Sequence, residues 1–368
     1  MVAADSGPLL SICIPTYNRA AFLKVMLQAL LPQVREFADE VEVWVLDNAS
    51  TDDTSLVLQS AAELGPLRVK KQCKTIGPTR NIVDGPANLA RGQYVWVLGD
   101  HNLLRPGAIR RLLNELRQSP EYEIFYINYR VAVFPEQWPA TATDGYDGVF
   151  TYLGNPEVSA GAIREWCLLM RPYSALCTQN YVHVIRTSVW RDFWKERPIG
   201  ADYSDALTTY PHTTMIVNTL FRVPAFVVAD PLLTIFNGAQ SWSNPVTQAK
   251  VYFVGLPAFL DQLRRLGIRP SEFEEIMVDF YRPEATRIAV RVLQHLGLLA
   301  GLRLLLRGAL TRSFCVRPLL LAIPDGVFPG LTKVYRTVDG AIRNYRASYL
   351  YNCKPMRWLR ERRNVSSS

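Results

Sequence analysis

Three short apolar runs in the first hundred residues stop abruptly, and each stop is made of side chains that bind or neutralise charge. Leu9–Ile14 gives way to Pro15-Thr16-Tyr17-Asn18-Arg19, Trp44–Leu46 to Asp47-Asn48-Ala49-Ser50-Thr51-Asp52, and Tyr94–Leu98 to Gly99-Asp100-His101-Asn102. A guanidinium such as Arg19 suits phosphate oxygens. Carboxylates such as Asp47 and Asp100 accept hydrogen bonds from N–H and O–H donors, and an imidazole such as His101 can ligate a metal ion. Asp, Asn, Ser and Thr also cap helices and close turns, so any one cluster by itself is equally a turn. Three clusters, each at the end of a buried strand, imply more, because an open α/β sheet gathers its strand ends into one ligand crevice.

Two further segments carry candidate chemistry. Gly77-Pro78-Thr79-Arg80-Asn81 places a second arginine at the start of a helical stretch, and Ala201-Asp202-Tyr203-Ser204-Asp205 precedes Thr209-Tyr210-Pro211-His212 in a polar, turn-forming region. Asp202 and Asp205 are candidate proton acceptors, and His212 is a candidate ligand that also reads as a structural histidine.

The order and spacing of the three clusters resemble the family-2 glycosyltransferases of the GT-A fold, over about residues 9–130. Pro15, Tyr17, Asn18 and Arg19 match the first motif, and Asp47, Asn48, Ser50, Asp52 and Thr54 the second. The third departs from the pattern, since His101 stands where the family has its second aspartate. The resemblance implies that Pro15, Thr16, Tyr17, Arg19, Asp47, Asn48, Arg80 and Asp100 line a nucleoside-diphosphate sugar. It implies Asp205 or Asp202 as the general base of an inverting transfer. A divalent cation, manganese or magnesium, would be held at Asp100 and His101, with His212 as a further ligand; because imidazole replaces a carboxylate, dependence on the metal is an open expectation.

These residues need a scaffold, and the pattern supplies one. Strand-like runs at about 9–14, 42–47, 67–71, 93–98 and 124–134 alternate with helix-like runs at about 20–33, 53–64, 78–90 and 106–118, which calls for βαβ units and a mostly parallel sheet flanked by helices. Thr51 or Asp52 is placed to cap the helix starting near Asp53, and Pro106 falls in the first turn of another. Pro135 to Gly161, rich in Pro, Thr, Gly and aromatics, reads as a long loop. The predicted division is a nucleotide-sugar-binding domain over 1–236 and a helical, arginine-rich region over 237–368.

The chain has 368 residues and a formal charge of +8. Six scattered cysteines without a C-x-x-C pair argue against a zinc site or a disulfide scaffold and for a reducing compartment. No apolar run reaches the roughly 18 residues that would cross a bilayer. Ala285 to Pro324 holds six arginines and no carboxylate, a composition suited either to a helix on an anionic membrane surface or to a packed helix with its arginines in water. No nucleic-acid motif accompanies the charge. The expected protein is cytoplasmic, with the inner face of the cytoplasmic membrane as a second location if the basic region docks there.

The resemblance therefore implies an enzyme that passes a sugar to a hydroxyl acceptor, a saccharide or lipid-linked saccharide, in surface-polysaccharide or glycoconjugate assembly. The alternative is a relative that binds the nucleotide sugar but has lost turnover through His101. A nicotinamide-binding enzyme would show G-x-G-x-x-G after the first strand, where this chain has Pro-Thr-Tyr-Asn-Arg.

Overall fold

The computed structural model describes residues 7–133, 151–170, 178–237 and 244–309. They fall into two compact units, one ending at Ser243 and the other beginning at Asn244.

The first unit alternates strand and helix as the sequence pattern requires: β1 (Leu10–Thr16), α1 (Ala20–Arg35), β2 (Val41–Asp47), α2 (Thr54–Ala61), β3 (Arg68–Lys71), α3 (Pro78–Asp84), β4 (Tyr94–Val97), β5 (Leu103–Leu104), α4 (Ala108–Gln118) and β6 (Ile124–Val133). Then come β7 (Thr151–Leu153), β8 (Gly161–Ile163), β9 (His183–Arg186), α5 (Thr187–Trp194), α6 (Ala206–Thr209), α7 (Pro211–Thr219) and β10 (Ala225–Asn237). Strands β1 and β4 are buried along nearly their whole length, and that is why they read as continuous apolar runs. Helix α1 buries Leu23, Met26, Leu27, Leu30, Leu31 and Val34, a stripe at helical spacing. Helix α4 does the same with Ile109, Leu112, Leu113 and Leu116, while Arg110, Arg111 and Asn114 face outward.

The sheet order is β3-β2-β1-β4-β9-β6-β10-β5, with β7 on β6 and β8 on β10. Strands β3, β2, β1 and β4 run parallel, as do β6 and β10. Strand β9 lies antiparallel between β4 and β6, so the sheet is mixed, with a parallel half at its amino-terminal side. Chain order reverses between β1 and β4, since β2 and β3 lie on one side of β1 and β4 on the other. That is the switch point where such sheets open a crevice at their strand ends.

Two local expectations are corrected. The loop foreseen from Pro135 to Gly161 contains β7 and the start of β8, both recruited as antiparallel partners of longer strands; the part from 135 to 150 lies outside the described residues. Pro106 precedes the helix instead of sitting in its first turn, because Gly107, at φ 76°, is the N-cap of α4.

The second unit is helical as far as it is described: α8 (Pro245–Lys250), α9 (Leu256–Arg265), α10 (Pro270–Glu275), α11 (Arg282–Leu296) and α12 (Leu298–Ala309), with π-helical turns at Val251–Gly255 and Ile276–Tyr281. Asn244 caps α8 by accepting from the Thr247 amide at 3.0 Å. Gly297, at φ 77°, closes α11 in a conformation that favours glycine. Phe253, Phe259, Leu260, Leu263, Ile288 and Val292 form its buried interior. Among the described residues no helix is long and apolar enough to cross a membrane. The basic stretch beyond Ala309 lies outside the described residues.

Candidate functional site

The register of β1 and β2 sets Thr16 beside Asp47, and Asp100 follows β4 on the other side of β1. Thr16 Oγ1 donates to Asp100 Oδ2 at 3.0 Å. Asp100 Oδ1 accepts twice, from Arg19 Nε at 2.8 Å and from His101 Nδ1 at 3.0 Å. The guanidinium carbon of Arg19 also lies 3.9 Å from the centroid of the Phe22 ring, so the group is held both at its edge and on its face. Asp100 is 4% exposed. Burial alone would raise its pKa, but the hydrogen bond and charge of His101 and the charge of Arg19 outweigh it and keep the carboxyl below its ordinary range.

The loops after β1 and β2 are tied to each other by reciprocal bonds. Asn18, held at φ 52°, donates its amide N–H to Ser50 Oγ at 2.9 Å, and its side-chain oxygen accepts from the Thr51 amide at 2.8 Å. Asp52 bridges two helix starts. Its Oδ2 accepts from the Ala20 amide at the head of α1 at 2.9 Å, and its Oδ1 accepts from Thr54 at the head of α2. A carboxylate there satisfies otherwise orphaned amides and complements both helix dipoles.

Asp47 is fully buried. Its Oδ1 accepts from the Ser50 amide at 2.9 Å. Its Oδ2 has no hydrogen-bond partner in the protein and lies 3.9 Å from Lys71 Nζ. The Lys71 ammonium is thus the charge that faces this buried oxygen. Asn48 Oδ1 accepts from the Ile76 amide at 2.8 Å, and Asn81 Nδ2 donates to the Leu46 carbonyl at 2.8 Å. Helix α3 is thereby fastened to the end of β2. The Asn81 side-chain oxygen is likewise buried without a hydrogen-bond partner. Tyr17 is exposed at 47%, and Pro15, the residue before Thr16, pairs in register with Leu46.

The structure thus gathers Pro15, Thr16, Tyr17, Arg19, Asp47, Asn48 and Asp100 around the ends of β1, β2 and β4. Arg80 is turned elsewhere, with NH2 donating to the Ile199 carbonyl at 2.9 Å. Asp202 Oδ1 accepts from the Thr79 amide at 3.1 Å, at the start of α3. That approach is open only because residue 77 is glycine, since a Cβ there would lie 2.2 Å from Asp202 Oδ2. Asp205 is the N-cap of the short α6, its Oδ1 accepting from the Thr208 amide and hydroxyl, both at 2.8 Å. His212 is buried, and its Nε2 donates to the Thr178 carbonyl at 2.7 Å. Burial pushes its pKa down to about 4. Near it, His183 Nε2 accepts from Trp166 Nε1 at 3.1 Å, and burial followed by the charge of His212 holds its pKa well below the usual value.

Lys71 escaped the sequence reading. The signal that finds it is register, because β3 sets Lys71 opposite Asp47, and register is invisible until the strands are paired.

Whether these residues fit a divalent cation is decided by the donors themselves. Both oxygens of Asp100 are already engaged, and the Asn102 side-chain oxygen accepts from the Gly99 amide at 2.6 Å. Among the described residues no three His, Cys, Asp or Glu side chains cluster as a metal site. Magnesium asks for near-octahedral oxygen, and a committed carboxylate beside an imidazole does not fit it.

An open α/β sheet with strand-end carboxylates and an arginine at its switch point defines a nucleotide-binding class of enzyme fold. Residues 11–158 match the family model described as Glycosyl transferase family 2, the segment that carries all three strand-end clusters. The chain is similar to the abequosyltransferase RfbV of Salmonella typhimurium, 34% identical over 98 residues that make up 26% of this chain and 29% of the relative. It is also similar to the GalNAc(5)-diNAcBac-PP-undecaprenol beta-1,3-glucosyltransferase of Campylobacter jejuni, 32% identical over 30% of this chain and 36% of that protein. These matches span only about a third of either relative's length. Among solved structures, S. aureus TarS 1-349 superposes with a TM-score of 0.50 at 14% identity, over 93% of this chain and 90% of that one, a likeness of fold.

Proposed function

We propose that the protein transfers a sugar from a nucleoside-diphosphate donor to a hydroxyl acceptor, with inversion at the anomeric carbon, in the assembly of a surface polysaccharide or related glycoconjugate. The observation that carries this reading is the convergence of Thr16, Asp47 and Asp100 at the switch point, with Arg19 bonded to Asp100 beside them. Asp47 would meet the base or ribose, and Arg19 brings positive charge to the side where the diphosphate would lie. The names of the relatives, two of them sugar transferases, support the same chemistry.

In the transfer, a base takes the acceptor's hydroxyl proton, the oxygen bonds to the anomeric carbon, and the bond from that carbon to the diphosphate oxygen breaks, its electron pair leaving with the diphosphate. Of the two aspartates, Asp202 is the better base, because it touches the helix that abuts the donor loops whereas Asp205 caps α6. A manganese or magnesium ion held at Asp100, His101 and His212 would stabilise the leaving diphosphate, but the donor set described above does not favour one and no step depends on it.

The acceptor is a saccharide, free or lipid-linked. The undecaprenol-bound substrate in the printed name of the Campylobacter relative favours the lipid-linked form, and peripheral contact of the basic carboxyl-terminal region with the inner membrane face would suit it. The test is release of nucleoside diphosphate from a panel of uridine, guanosine and thymidine diphosphate sugars. Release from at least one above the rate in buffer is expected. Binding of a donor without release under any condition would instead select the catalytically impaired alternative, and absence of both would end the reading.

A further inference from the structure

The search for a cation's ligands ends at a carboxylate that is already saturated. Asp100 accepts from a guanidinium, an imidazole and a hydroxyl. The next residue offers an imidazole whose Nδ1 is turned to that same carboxylate, and the one after it an amide oxygen turned to the Gly99 N–H. A cation approaching Asp100 would have to displace a buried ion pair, which leaves a guanidinium 14% exposed without its counter-charge. The guanidinium is meanwhile fixed in orientation by Asp100 along its edge and by Phe22 across its face. A fixed cation aimed at developing negative charge does the electrostatic work of a metal without coordination or exchange.

Resting on the donor-site reading above, we infer that this site binds a nucleoside diphosphate without a divalent cation, with Arg19, locked by Asp100 and Phe22, supplying the positive charge. His101 has a defined part in this arrangement. It occupies the place where the resembling family has a carboxylate, and its bond to Asp100 reinforces the lock on Arg19 in place of recruiting an ion. Arg80, foreseen from the sequence as a second phosphate-facing arginine, is instead engaged at the Ile199 carbonyl.

The test is isothermal titration of UDP, GDP and dTDP into the full chain, in EDTA and in manganese, for the wild type, Arg19→Lys and His101→Asp. The expected result is at least one nucleoside diphosphate whose Kd in EDTA and in manganese agrees within about threefold. Arg19→Lys, which keeps the charge but not the planar fork, is expected to weaken that binding about tenfold or more in both buffers. His101→Asp, by placing two carboxylates side by side, is expected to make binding tighter in manganese than in EDTA. A wild-type affinity that collapses in EDTA and returns with manganese would overturn the inference while leaving the donor site standing. Unchanged affinity in Arg19→Lys would remove the arginine's part. Failure of every nucleoside diphosphate to bind in either buffer would overturn the donor-site reading itself, and the inference with it.

Discussion

Around Thr16, Asp47 and Asp100, Asp100 bonds across strand ends to Thr16 and Arg19, far away in sequence, Asp47 accepts from the nearby Ser50 amide, and one oxygen, Asp47 Oδ2, stays without a hydrogen-bond partner. In the segment from Asp202 to His212 the same kinds of residue are turned to the backbone: Asp202 meets the first turn of α3, Asp205 caps α6 and His212 holds the Thr178 carbonyl. The first region is a cluster of charges assembled before any ligand arrives. The second is a scaffold whose polar groups keep a turn-rich chain in place, and any chemistry there must use groups that also hold structure. Apart from the buried Arg19–Asp100 pair, where both are lost together, substitutions should therefore separate binding from stability in the first region and entangle them in the second.

The largest effect is expected where the first region is itself a buried charge pair. Arg19→Ala leaves Asp100 buried without its guanidinium and should cost about 3–5 kcal/mol in urea denaturation; a loss under about 1 kcal/mol would mean the pair is more solvated than its burial suggests. Next comes pH. His212, with a pKa near 4 in the fold against about 6.5 unfolded, binds its proton more weakly when folded. Its contribution is thus fully present above pH 6.5, and falls as pH drops from 6.5 through 4. About 3 kcal/mol should disappear by pH 4. Comparing the pH dependence of stability with that of His212→Gln isolates this share, and parallel curves would remove it.

Asp47→Asn comes third. It keeps the acceptor for the Ser50 amide but turns the unpartnered oxygen into a donor, so nucleoside-diphosphate affinity should fall by about 1–3 kcal/mol with little change in melting temperature. Equal affinity for both proteins would dissolve the contrast between the regions. The smallest stability effects belong to the caps. Asp205→Ala should lose about 1 kcal/mol, and Asp205→Asn, also a good N-cap, far less. Asp205→Asn should retain transfer where Asp202→Asn abolishes it; the reverse pattern would exchange their roles.

Much of the first region was legible in the sequence because its signals are local. Apolar runs that stop at Pro15, Asp47 and Gly99 announce strands and their ends, and Asp52 at the end of a polar turn announces a helix start, which the structure places at Thr54. What the sequence did not contain was pairing. The insertion of β9 between β4 and β6, the use of Thr151–Leu153 and Gly161–Ile163 as strands, and the juxtaposition of Lys71 with Asp47 all arise from partners distant in the chain. The same holds for Asp202, whose bond to Thr79 spans 123 positions. Short strands such as these have too few residues for a period to emerge, and their stability comes from the neighbour that receives them.

The position of β9 also sets an order of events during synthesis. Until residues 183–186 have left the ribosome, β4 and β6 each expose an edge that only this later strand covers. The nascent chain can form its parallel layer early, but the two halves of the sheet are joined through β9 by contacts between segments about ninety (β4) and about sixty (β6) residues apart, pairings of the slow and aggregation-prone kind. A polypeptide cut short before His183 should accordingly be sticky and incomplete, however well its amino-terminal helices and strands are encoded.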